Sequence, residues 1–224
     1  MDNHYNSNGL VFWSEEEIRL REMMKNHFVA ALSSNLKIQN RGFELIQVEA
    51  PLITPRIFIN ANYTDEDMFV LDENFVLRPE TTMGSYRAIL ELLSPHNERK
   101  IKPPVVVWQH GKSFRKEQDQ PTKFMRLKEF YQLEFQIAYG ISTMNDYSIS
   151  LIPAMQKAIA DMIGPCKIEP SDRLPDYSES TMDIICEKNN MEVASISKRK
   201  DLSGLKVLEV AIGTDRCVYN YLNK

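Results

Sequence analysis

The sequence predicts an α+β fold, an antiparallel β-sheet flanked by helices, in a single domain spanning residues 1–224. Three observations carry this. Strand-like segments are joined mostly by short turns, which suits antiparallel pairing. Helical segments are set between groups of strands, as in layered α+β folds. The glycine signatures of parallel nucleotide-binding folds, G-x-G-x-x-G and G-x-x-x-x-G-K-[ST], are both absent from the chain. Any nucleotide must be held by another device.

Ser14 followed by Glu17 makes a capping box. The helix it starts presents Ile18, Phe28, Leu32 and Leu36 inward and stops at Arg41-Gly42. Phe43 to Val48 reads as a strand, closed by Pro51. Met68–Leu71 and Phe75–Arg78 bracket Asp72-Glu73-Asn74 as a short hairpin. Glu80 to Leu93 reads as helix. Two longer strands follow, Val105–Glu117 and Met125–Tyr139, joined by the polar loop Gln118–Phe124. Asp146–Met162 is a predicted helix closed by Gly164-Pro165. Strands Met182–Glu187 and Met191–Ser197 flank Lys188-Asn189-Asn190. A last strand, Val207–Ile212, runs into a helix at Gly213.

A chain of 224 residues with 43% hydrophobic content supports one good-sized core. No apolar run approaches the roughly 20 residues that span a bilayer, and Met1–Asn8 lacks the plan of a signal peptide. Cys166, Cys186 and Cys217 show no C-x-x-C spacing and read as reduced core thiols of a cytoplasmic protein. The four histidines share no ligand spacing. A net charge of −4 argues against a large nucleic-acid footprint, because phosphate contacts supply most of such affinity.

Side chains alternate faces along a strand. Met125, Leu127, Tyr131, Leu133, Phe135 and Ile137 form an apolar face, and Arg126, Lys128, Phe130, Gln132, Glu134 and Gln136 a polar one. In the preceding strand Gln109, Gly111, Ser113, Arg115 and Glu117 oppose Val106, Trp108 and Phe114. A hairpin of the two would gather arginines, glutamates and Phe130 on one surface. Periodicity alone describes that surface as the solvated side of a half-exposed sheet.

The order of the residues suggests more. Phe114, Arg115 and Glu117, then Arg126, Phe130 and Glu134, resemble motif 2 (about 113–135) of class II aminoacyl-tRNA synthetases. Asn40-Arg41-Gly42-Phe43 through Pro51-Leu52-Ile53 resembles motif 1 (about 40–55). Glu209 to Arg216 resembles motif 3 (about 207–222). Arg78-Pro79-Glu80-Thr81, Gly111–Arg115, Arg126–Phe130 and Met191–Ile196 are similar to segments of the glycyl enzyme.

The resemblance implies the class II catalytic fold and an ATP-dependent ligase that forms an aminoacyl-adenylate. Arg115 would bind the α-phosphate, a task that suits a planar, always-charged fork. Phe130 would stack on adenine, and Arg216 would cover the other ring face or reach the γ-phosphate. Glu117 would contact the adenine amino group or the amino acid, and Arg126 the triphosphate. Glu80, Glu134 and Glu209 would grip the substrate ammonium, with Gln132 and Ala211 also lining the amino-acid site. Glu209 would also hold Mg²⁺. Motif 1 implies a homodimer, and the family implies a tRNA 3′ end as acceptor of a small amino acid. Ala211 replaces the serine that lines the glycyl pocket, and the segment after motif 3 lacks the family's anticodon-binding domain. The same fold also implies alternatives: paralogues that aminoacylate a protein or small-molecule acceptor, and non-catalytic dimeric regulatory or accessory subunits.

Overall fold

A computed structural model describes residues 9–39, 43–116, 126–142, 146–172 and 174–224. Asn40-Arg41-Gly42, Glu117, and the loop with Met125 lie outside the described residues. In chain order the elements are α1 (Glu15–Gln39), β1 (Glu44–Gln47), β2 (Ile53–Pro55), β3 (Phe75–Leu77), α2 (Thr82–Leu92), β4 (Val105–Phe114) and β5 (Glu129–Gly140). Then come α3 (Ser148–Ile163), β6 (Cys166–Pro170), β7 (Ser178–Cys186), β8 (Met191–Arg199), β9 (Leu205–Gly213) and α4 (Thr214–Leu222).

The capping box forms as expected: Ser14 N donates to Glu17 Oε2 at 2.7 Å, and Glu17 N to Ser14 Oγ at 3.3 Å. Glu15, Glu16 and Glu17 complement the positive end of the helix dipole. The buried stripe of α1 is Leu20, Met24, Phe28, Leu32 and Leu36. Ile18 is a correction, being 43% exposed. It lies two residues from Leu20, about 200° around the helix, and so faces away from the core.

Seven strands form the main sheet in the spatial order β1-β4-β5-β9-β8-β7-β6. All pairs are antiparallel except β1 with β4, which run parallel. Strand β6 had no counterpart in the sequence reading. It is short, ends in Pro170 and pairs on one side only, an edge position where proline is tolerated. The Asp72 turn forms, with Asp72 Oδ1 accepting from Asn74 N at 2.7 Å and Phe75 N at 2.8 Å. Its first arm supplies only the bridge Val70–Val76, and β3 pairs instead with β2.

One sheet face, with Val106, Leu133, Phe135, Ile137, Val210 and Ile212, packs on α1, α3 and α4 in the main core. On the other face a smaller patch of Val105, Val107, Ala138 and Val207 meets Tyr86 and Ile89 of α2. Burying a side chain of this size stabilises by about 1.5–3 kcal/mol. The remainder of that second face is polar. The three cysteines are buried and unpaired.

Candidate active site

The register aligns the polar residues in rows across the sheet. One row runs Gln109, Glu134, Ala211, Ser195, Asp183, and the next runs Gln136, Glu209, Ser197, Thr181. The surface is not solvated where the acids stand: Glu134 is 2% exposed and Gln136 fully buried. The start of α2 lies over it, held by Gln109, whose Nε2 donates to Thr81 O at 2.9 Å and Ser85 Oγ at 2.7 Å.

Beside this cover opens a cleft of about 760 Å³, within the range of small-molecule sites. Glu80, Arg115, Arg126, Phe130, Gln132, Glu134, Glu209, Ala211 and Arg216 all line it. The structure therefore brings every described candidate to one place. Glu117 lies outside the described residues.

The inner end is acidic and densely hydrogen-bonded. Thr81 Oγ1 donates to Glu134 Oε2, and Thr82 Oγ1 reaches Glu209 Oε2 at 2.9 Å. Glu209 Oε2 also accepts from Gln136 Nε2 at 2.7 Å and Arg199 Nη1 at 2.9 Å. Arg199 pairs in addition with Asp201 (Nη2 to Oδ2, 2.6 Å), which accepts from Tyr86 OH at 2.7 Å. Burial works against the Arg199 charge, but Glu209 and Asp201 outweigh it and raise its pKa. Glu80 and Glu134 are both pushed up, first by burial and then by neighbouring carboxylates, with Arg199 opposing. Glu80 Oε1 and Gln132 Oε1 are buried without a protein partner. A ligand bringing hydrogen-bond donors would satisfy them.

A buried acid with a raised pKa binds more protons folded than unfolded in the window between the two values. Its contribution to stability is therefore lost as pH rises from the ordinary carboxylate range through the raised pKa, which for Glu134 is about 8. Glu134→Gln should flatten the fall in unfolding free energy over that window. Urea melts at several pH values check this, and an unchanged slope would refute it.

At the outer end, Arg115 donates through Nε to Pro79 O and through Nη2 to Tyr63 OH, both at 3.0 Å. Its guanidinium carbon lies 5.3 Å from the Phe130 ring centroid. Arg78, two residues before Glu80, is structural: it donates to Ala50 O at 2.6 Å and Lys112 O at 2.8 Å. It fills the space above Gly111, where a Cβ would stand 2.4 Å from its Nη2. Arg216 is presented by the first turn of α4 and donates to Glu192 O at 2.8 Å. Asp215 anchors that turn, accepting from Arg21 Nη1 at 3.0 Å and Tyr131 N at 2.8 Å.

Sequence reasoning missed Arg199, Asp201, Thr82 and Tyr63. Extending the alternation of β8 past Ser195 and Ser197 would have found Arg199. Tyr63 sits in a connection without periodicity and left no such signal.

Among the described residues, no group of three or more His, Cys, Asp or Glu is arranged to hold a metal ion. Glu209 Oε2 already has three donors, so a cation there would meet chiefly Oε1. Magnesium commonly takes one or two carboxylates and draws its other ligands from phosphates and water. No helix among the described residues is long and apolar enough to cross a membrane.

Comparisons with known proteins bear on the family and the fold. The family model described as tRNA synthetases class II core domain (F) matches residues 3–193. A glycine–tRNA ligase of Mycolicibacterium paratuberculosis is 32% identical over 113 residues, 48% of this chain and 24% of its own length. The chain thus matches about a quarter of that relative. A crystal structure of prolyl-tRNA synthetase from Cryptosporidium parvum, complexed with halofuginone and AMPPNP, has a TM-score of 0.74 at 14% identity. That match covers 97% of this chain and 49% of the other. Pyrrolysyl-tRNA synthetase from Desulfitobacterium hafniense gives a TM-score of 0.64 at 19% identity, covering 93% and 76%. At these identities the likeness to the two structures is one of fold.

Proposed function

The chain belongs to the class II core-domain family of tRNA synthetases, and on that premise we propose that it activates a small amino acid with ATP. The product is an aminoacyl-adenylate, and the aminoacyl group then passes to an acceptor, a tRNA 3′ end in our reading. Glycine is the first amino acid to test, given the partial match to a glycine–tRNA ligase. The observation that carries the proposal is one cleft holding Glu80, Glu134 and Glu209 at its inner end and Arg115 beside Phe130 at the outer.

The chemistry follows from that polarity. The acids take the substrate ammonium, and Arg115 takes the α-phosphate as charge develops there. A carboxylate oxygen attacks the α-phosphorus, an O–P bond forms, and pyrophosphate leaves with the electron pair of the broken P–O bond. No side-chain nucleophile is required, so the protein contributes position and electrostatics. Phe130 offers a face to adenine, with Arg126 and Arg216 placed for the rest of the nucleotide. Glu209 would be the protein ligand of Mg²⁺, which would supply charge neutralisation to the nucleotide. Amino-acid-dependent pyrophosphate–ATP exchange tests the reading. Exchange with glycine or another small amino acid is expected, and none with any standard amino acid would overturn it. A charging assay on total tRNA then separates tRNA from a protein or small-molecule acceptor.

The motif 1 region supports a homodimer. Leu52, Ile53, Ile57 and Phe58 are exposed, Ile57 by 85%, beside an apolar groove lined by Pro51, Ile59 and Met83. Contiguous apolar surface of this kind marks an interaction site. Light scattering should give twice the chain mass, falling to one on Ile57→Glu. A monomer before substitution would refute it. We place the activity in the cytoplasm, where ATP and tRNA are both available.

A further inference from the structure

The loop between β2 and β3 contributes a side chain that no motif predicted. Tyr63 OH lies 3.2 Å from Glu80 Oε2 and 3.0 Å from Arg115 Nη2. It donates to the carboxylate and accepts from the guanidinium. One hydroxyl thus bridges the acid assigned to the ammonium and the cation assigned to the α-phosphate. In the proposed adenylation, the bond that forms lies between those two groups.

The loop is held in place for this. Thr64 N and Oγ1 both donate to Asp67 Oδ2 at 2.9 Å, closing a tight turn just after Tyr63. That turn is tied to the residue after Arg115, since Lys116 N donates to Asp67 O at 2.8 Å and Lys116 Nζ to Asp65 O at 3.1 Å. The phenol and Arg115 are therefore positioned by one set of contacts. The Arg115 guanidinium carbon also lies 5.6 Å from the Tyr63 ring centroid. Burial, opposed by Arg115 and assisted by Glu80, raises the phenol pKa well above its ordinary value, so the hydroxyl keeps its proton.

We propose that Tyr63 is a third group at the reacting centre, whose hydroxyl donates to the substrate carboxylate and orients it for attack on the α-phosphorus. The inference rests on the adenylation reading. When an ammonium group occupies Glu80, the phenol is released from that carboxylate and turns to the one beside it. The phenol transfers no proton. The attacking oxygen forms its bond to phosphorus as the bond to pyrophosphate breaks.

Tyr63→Phe keeps the ring and removes the hydroxyl. In pyrophosphate–ATP exchange its kcat should fall about 10- to 100-fold, the loss expected for one hydrogen bond to a charged group. The KM for ATP should stay within about threefold, because Arg115 keeps its bond to Pro79 O and the bond lost in catalysis acts on the other substrate. Calorimetric titration with ATP alone supplies a second readout and should match the unsubstituted protein. A kcat within twofold, or a parallel loss of ATP binding, would overturn the role of Tyr63 and leave the adenylation reading standing. No exchange by the unsubstituted protein would remove both.

Discussion

Arg115→Lys should lower kcat for pyrophosphate–ATP exchange by on the order of 10²–10³-fold, the range for removing a donor that stabilises developing charge. Lysine keeps the positive charge but loses the planar fork. In this cleft the fork is directional: Nε holds Pro79 O and Nη2 reaches Tyr63 OH, while the guanidinium carbon lies near Phe130. An ammonium group cannot reproduce those directions from the same backbone position. The fold should survive, because Arg78 still ties its segment to β4 through Lys112 O and Phe114 N when the Arg115 bond to Pro79 O is lost. Circular dichroism checks the fold and exchange kinetics the chemistry. Activity within about threefold of the unsubstituted protein would mean that Arg115 does not touch the reacting phosphate.

The largest expected effect on stability is at Arg199. Its side chain is 1% exposed and pairs with Glu209 and Asp201, whose side chains are 9% and 18% exposed. Arg199→Met would leave both carboxylates without their cation in a site of low dielectric. Removing one partner from such a pair costs about 3–5 kcal/mol, or roughly 10 °C in melting temperature for a domain of this size. The ring of Tyr177, 3.9 Å from the guanidinium carbon, would lose a cation–π contact as well. Pairing Arg199→Met with Glu209→Gln should recover part of the loss, since one stranded charge is removed with its partner. Thermal melts of the two single variants and the double variant decide it. Strict additivity would show that the ion pair is not the cause.

Local pattern was enough for much of this molecule. The alternation in β5 separated Phe130, Gln132, Glu134 and Gln136 from the apolar residues, and the register of β4 then placed Gln109 opposite Glu134 on the same face. The capping box and the buried residues Phe28, Leu32 and Leu36 were equally visible, because they depend on neighbours within a few turns. Arg199 is in step with Ser195 and Ser197 on β8, but its burial was not legible locally. It stands in the run Lys198-Arg199-Lys200-Asp201, which reads as a solvated strand end. Its burial depends on Glu209 of β9 and on Tyr86 and Tyr177, none of them local. The polar face looked like open surface for the same reason. What covers it is α2, brought there through Gln109, Thr81 and Ser85. Resemblance to a family supplied the motif residues and passed over Tyr63, which belongs to no motif.

The parallel pairing of β1 with β4 governs how the cleft comes into being. Parallel neighbours cannot be joined by a tight turn, so the chain makes a long excursion between Gln47 and Val105. Tyr63, Glu80, Thr81 and Thr82 all lie on that excursion, and Thr82 meets Glu209 from 127 positions away. Closing loops of this length precedes any reward from the contacts they make, which slows folding and concentrates site formation in its last steps. No single motif carries a working fragment. During refolding, nucleotide binding should therefore appear together with protection of the β9 amides, and an intermediate holding only the β4–β5 hairpin would have nothing to grip.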